Sequence, residues 1–165
     1  EVIFPNYLQN AILEALFKAH PYEEVAYDII SLKNKNQEIG TGIIGDLETE
    51  IDSIYFLNQL KSNMETNCVR HTNICKKTIQ KVAICGGSGS FLLQDAIRQN
   101  ADVFITGDFK YHEFFDAENH LIIADIGHYE SEQFTIDLFQ EILNNEFQNL
   151  DFIKTKINTN PINYL

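Results

Sequence analysis

The chain has 165 residues, room for one domain or two small ones, and its 44% hydrophobic content is ample for a packed core. Twelve basic against 24 acidic residues give a formal charge of −12, which argues against nonspecific nucleic-acid binding as a role. No run approaches the roughly 18 apolar residues of a membrane span, no signal-peptide pattern opens the chain, and no membrane partner is expected. Cys68, Cys75 and Cys85 form no CxxC pair and leave an odd one over. That argues against a disulfide frame or a zinc knuckle and for a reducing, cytoplasmic setting. The opening Glu1, Val2, Ile3, Phe4, without an initiator Met, fits a processed or truncated piece of a longer protein.

Residues 1–4 read as a strand. Pro5 and Asn6 then open a helix in which Leu8, Ile12, Leu13, Leu16 and Phe17 recur at the helical period, and His20 with Pro21 ends it. Residues 25–32 read as a strand, 33–37 as a polar turn, 42–47 as a further strand, 54–64 as a helix and 68–72 as a last strand. This βαββαβ order predicts a ferredoxin-like α+β unit over residues 1–75, hinged to the rest near 73–78. His20, Tyr22, Glu23 and Glu24 form a polar knot that suits a structural turn.

Residues 76–165 change character. Strands are expected at 81–85, 102–106 and 121–126, each followed by a loop and a helix: 91–100, the stretch through 118, and 128–147. Residues 151–158 read as a closing strand ahead of Pro161. The repeated strand-loop-helix order predicts a three-layer-like parallel α/β half-core, and five basic against thirteen acidic residues from position 80 onward concentrate the negative charge there. Gly86, Gly87, Ser88, Gly89 and Ser90, then Asp108, then His128 all follow strand ends, so they converge on one edge of the sheet. In an open α/β sheet that edge is where ligands bind.

His128 stands at the start of the last helix and Glu132 one turn later on the same side, a spacing that lets the pair grip one metal ion. At about 100° per residue, Phe134, Leu138, Phe139, Ile142 and Leu143 form one apolar arc. Glu132 extends that arc inward, and Glu130 projects to solvent. An inward carboxylate needs a cation, a metal or strong donors. The competing readings are an acidic residue that complements the helix amino terminus and a hydrogen-bonded structural imidazole. The glycine-rich run either cradles an anion with its amides or makes a tight turn with Ser90 as N-cap. Asp108 is a site carboxylate or an N-cap. His112 reaches the site or lies on an exposed turn, and Lys110 would serve there as an anion holder for substrate. His71 and His120 are assigned to surfaces.

The runs Gly86 to Phe91, Thr106 to Glu118, Asp125 to Phe134 and the terminal Asn158 to Leu165 together resemble the NGG-interacting factor three-like family, whose bacterial members are known as GTP cyclohydrolase I type 2 homologues. Residues 1–75, with the run Ala19 to Tyr27, resemble the PII-like domain inserted in many bacterial members. The resemblance implies two divalent metal ions of zinc, iron or manganese type in the intact protein, with His128 and Glu132 matching the ligands of the second core half. The remaining ligands, a His-His pair and an Asp, belong to a first half that does not occur in this sequence, so these sites are expected to be weak or empty here. The implied function is that of a metal-dependent hydrolase: Asp108 or His112 handles protons, and residues 86–90 with Lys110 seat a small nucleotide-like or anionic ligand. The alternative is a non-enzymatic metal-binding or metabolite-sensing scaffold. The resemblance also implies a homo-oligomer, trimeric or hexameric.

Overall fold

The computed structural model describes residues 1–33 and 39–165. The chain divides into two compact units, Glu1–Gln37 and Glu38–Leu165. In the first, a single 3-10 turn at Asn6–Leu8 runs into helix α1, Gln9–Ala19. His20 ends the helix in an extended conformation, as a residue ahead of proline must. Its amide still bonds the Leu16 carbonyl at 2.9 Å. Phe17 and Tyr27 meet edge to face at 5.5 Å, and Tyr22 donates its amide to His20 Nδ1.

The second unit is a mixed α/β fold around one five-stranded sheet. Its strands are β1 (Ile43–Asp52), β2 (Arg70–His71), β3 (Thr78–Ser88), β4 (Val103–Gly107) and β5 (Ile122–Asp125), in the order β1-β3-β4-β5-β2. β3, β4 and β5 are parallel neighbours, and β1 and β2 close the two edges antiparallel. The central strands are apolar on both sides, as parallel strands covered on both faces must be. One core holds Ala83, Cys85, Phe104 and Ile123 against helix α3, Leu93–Arg98. The other holds Val82, Ile105, Ile122 and Ala124 against helix α2, Ser53–Asn63. Asp52 caps α2 by accepting the amides of Ile54 and Tyr55 at 3.0 Å.

Several sequence expectations are corrected here. The boundary expected at 75/76 is displaced, because β1 and β2 pair with β3 and β5 and so belong to the sheet of the second half. Residues 1–4 and 25–32 form no strand among the described residues, since the segments expected to pair with them are ladder partners elsewhere. The polar turn expected at 33–37 lies, beyond Lys33, outside the described residues. Gly86, Gly87 and Ser88 continue β3 rather than forming a loop, with a register shift between Ile84 and Ser88. Residues 151–158 are irregular, tied instead to the last helix by the Gln140 side chain, which donates to the Phe152 carbonyl at 2.7 Å, and by a Lys154–Asp137 ion pair. The single helix expected from 128 to 147 is two: α4, His128–Glu132, and α5, Thr135–Glu146.

Candidate functional site

A buried carboxylate needs donors, and Asp125 has three. It ends β5, is 2% exposed, and sits across the ladder from Arg70 of β2. Its Oδ2 accepts the Phe109 amide at 2.9 Å and the Arg70 guanidinium, and its Oδ1 accepts the Gly127 amide at 2.9 Å. Arg70 also donates to the Phe109 carbonyl at 2.9 Å and lies over the Phe114 ring, 5.4 Å from its centroid. One side chain at the end of a strand thus holds together the two turns that carry Asp108 and His128. Asp125 and Arg70 went unnoticed as site residues in the sequence. The signal was there: a carboxylate inside an otherwise apolar strand.

Asp108 has φ of +58°, a left-handed conformation that Asp tolerates better than most residues. From there its Oδ2 reaches His128 Nδ1 at 2.6 Å. An imidazole whose Nδ1 is engaged by a carboxylate presents Nε2 outward as its free nitrogen. That Nε2 lies 3.5 Å from Glu132 Oε2. The hydrogen bond to Asp108, opposed by desolvation and aided by the charges of Asp108 and Glu132, raises the His128 pKa above its ordinary value of 6.5. All three side chains are about half exposed, so the group opens to solvent at the sheet edge.

β3 supplies the wall behind Glu132. Gly87 has φ of +63°, and a Cβ there would stand 2.6 Å from Glu132 Oε1 and 3.3 Å from His128 Cε1. The missing side chain is what lets the carboxylate seat. The Gly87 amide is already committed to Ser131 Oγ at 2.7 Å, and that hydroxyl in turn donates to the His128 carbonyl at 2.7 Å. Gly86 lies beside the Glu132 side chain, and Gly89 packs on Thr106 and Cys85. Ser88 pairs with Gly107, and Ser90 begins a 3-10 turn. His112 is exposed, its ring against Tyr111 at 5.3 Å. Lys110 is exposed, its amide bonded to Glu113 Oε2 at 2.9 Å. Neither His112 nor Lys110 lines the cleft beside His128.

The expected roles of Glu130 and Glu132 are reversed in burial. Glu130 is 5% exposed, whereas the Glu132 side chain is 51% exposed. The apolar arc that Glu132 extends is itself uncovered in this chain, with Phe134, Leu138, Phe139 and Ile142 all exposed, so following that arc leads outward. Glu130 turns under Gly127, whose φ is +94°; a Cβ there would stand 2.2 Å from Glu130 Oε2 and 3.3 Å from the Tyr164 hydroxyl. Glu130 Oε1 accepts from Asn160 Nδ2 at 3.4 Å. A cleft of about 180 Å³ opens beside His128, lined also by Cys68, Arg70, Asp108, Ile162 and Tyr164. Among the described residues, no three or more His, Cys, Asp or Glu side chains are disposed to hold a metal.

The match with the Duf34/NIF3 (NGG1p interacting factor 3) family runs over residues 9–161. A GTP cyclohydrolase 1 type 2 homolog of Bacillus subtilis is 32% identical over all of this chain and 45% of its own length, and one of Listeria innocua is 36% identical over 99% and 45%. A Bacillus cereus protein related to NIF3 superposes with a TM-score of 0.76 at 32% identity, covering 98% of this chain and 46% of that structure. The chain therefore spans about half the length of the relatives it matches. With the family match covering nearly every residue and the same fold in a solved relative, the chain belongs to the Duf34/NIF3 family.

Proposed function

We propose that this chain supplies one side of a metal-dependent, hydrolase-like centre, with His128 Nε2 and the Glu132 carboxylate as its metal-facing donors. The observation that carries the reading is the Asp108–His128–Glu132 arrangement. Asp108 engages Nδ1, Nε2 is left outward, and a second donor stands 3.5 Å away at an open sheet edge. A carboxylate behind a histidine is the usual support of a metal-ligating imidazole. These residues fit as part of a ligand set and do not complete one. Two divalent ions held there would acidify water and polarise a carbonyl, amidine or phosphoryl group.

The chain's own residues supply orientation. Asp108 fixes the imidazole tautomer, Ser131 ties α4 to Gly87, and Arg70 brings its half-exposed guanidinium to the margin of the cleft, where it suits an anionic or nucleotide-like substrate. The names of the relatives point toward the same substrate class. Assembly into a homo-oligomer is part of this reading, supported by the apolar side chains that α5 leaves uncovered, with Leu138 56% and Phe139 60% exposed.

Elemental analysis of the intact protein tests the proposal. Occupancy is expected to fall sharply in both His128→Ala and Glu132→Gln, because each loses a direct ligand. Unchanged occupancy in both variants sinks the metal reading. Metal-loaded protein that turns over none of a panel of nucleotides and cyclic amides points to a binding scaffold instead.

A further inference from the structure

We propose that the C-terminal segment, residues 158–165, is a built wall of the same cleft, latched by the buried Glu130 carboxylate so that Tyr164 faces whatever binds at His128. Three observations bear on this. Glu130 is 5% exposed, and its Oε2 is buried without a hydrogen-bond partner. A buried carboxylate oxygen in that state is costly unless something nearby serves it. The Tyr164 hydroxyl stands close by, since a Cβ on Gly127 would meet both it and Oε2, at 3.3 and 2.2 Å. The other oxygen of Glu130 accepts from Asn160 of the same segment at 3.4 Å. Ile162 and Tyr164 line the cleft together with Arg70, Asp108 and His128. Burial and, after it, the charge of Glu130 also raise the Tyr164 pKa.

Glu130 is then a positioning residue that acts through the tail, and Tyr164 is the residue that touches a ligand. At about 180 Å³ the cleft is smaller than the ~300–1,000 Å³ of sites for drug-sized ligands, so a latched tail restricts it to a small group. The ligand-facing role rests on the proposed function above. The latch and the nearness of Tyr164 to His128 are tested without metal or substrate.

The chain contains no tryptophan, so Ile162→Trp installs a single tryptophan on the tail and leaves Asn160 and Tyr164 in place. Quenching of its emission by acrylamide is expected to rise severalfold when Glu130→Ala is added, and to stay near the parent value with the isosteric Glu130→Gln. Asn160→Ala, which leaves Glu130 in place, is expected to give an intermediate rise and serves if Glu130→Ala does not fold. In parallel, the His128 ring resonance of the unlabelled-tail chain is followed by NMR. Tyr164→Leu and Glu130→Ala should shift it in the same sense, while the ring resonance of His71 stays still. Quenching indifferent to Glu130 and Asn160 overturns the latch. A His128 resonance indifferent to Tyr164→Leu overturns the wall. Neither result depends on metal content, so loss of the metal reading in the elemental assay is a separate outcome.

Discussion

Asp108 and His128 stand 20 residues apart in the chain, on the turns after adjacent parallel strands, and meet at 2.6 Å between Oδ2 and Nδ1. Neither turn is held by its own sequence alone. Asp125 accepts the amide of Phe109, next to Asp108, and the amide of Gly127, next to His128, so a side chain bonded to neither Asp108 nor the His128 ring sets the distance between them.

That contact has a pH signature. The His128 pKa is raised, chiefly by its hydrogen bond to Asp108, so an NMR titration of the metal-free chain should place its midpoint above 6.5, and Asp108→Asn should lower it. The contribution to stability follows the same sign. It is fully present below the unfolded value near 6.5 and is lost as pH rises through the higher folded value. A midpoint at or below 6.5 in the unmodified chain contradicts the assignment.

Removing the hub should cost more than removing its exposed partner. Asp125→Ala leaves the amides of Phe109 and Gly127 without their acceptor, at about 1–3 kcal/mol for each buried group left unpaired, and releases Arg70. Arg70→Ala leaves Asp125 with both amide donors and removes a side chain that is 53% exposed, so its cost is smaller. Urea denaturation of the two variants checks the order, and a larger loss for Arg70→Ala rejects it.

Gly87→Ala separates the fold from the site. The backbone at φ +63° makes the substitution strained by about 1–3 kcal/mol, which a domain of this size survives. The new Cβ falls 2.6 Å from Glu132 Oε1, so the carboxylate must move away. Expected results are a cooperative unfolding transition at modestly lower stability and a marked drop in the metal content of the intact protein. Retention of full metal content would mean that the Glu132 carboxylate can sit elsewhere and still serve.

The parallel centre of the sheet was legible because Val103 to Thr106 and Leu121 to Ala124 are apolar runs with no polar face to place in solvent, and the loops that follow them carry Asp108 and His128. The edge strands were legible as strands, at 42–47 and 68–72, but their partners were not. Residues 43–52 and 70–71 alternate or are too short to reveal a partner, and pairing is decided by contacts distant in sequence, such as Ile123 donating its amide to the Thr72 hydroxyl at 3.0 Å. The Glu130 and Glu132 assignments failed for another reason. A helical arc tells which side chains share a face and not whether that face is covered, and here the apolar face of α5 is exposed. Tyr164 carried no periodic signal at all, since it lies in an irregular tail whose place is set by a carboxylate 34 residues earlier.

The break after Glu132 has a mechanical meaning. α4 is moored at both ends, by Gly127 to Asp125 and by the Gln133 side chain to the Met64 carbonyl at 2.7 Å. α5 begins afresh beyond that second mooring. The bonds that hold α4 are thus separate from the uncovered apolar side of α5. The five-residue helix takes its bearing on the sheet from its own two moorings.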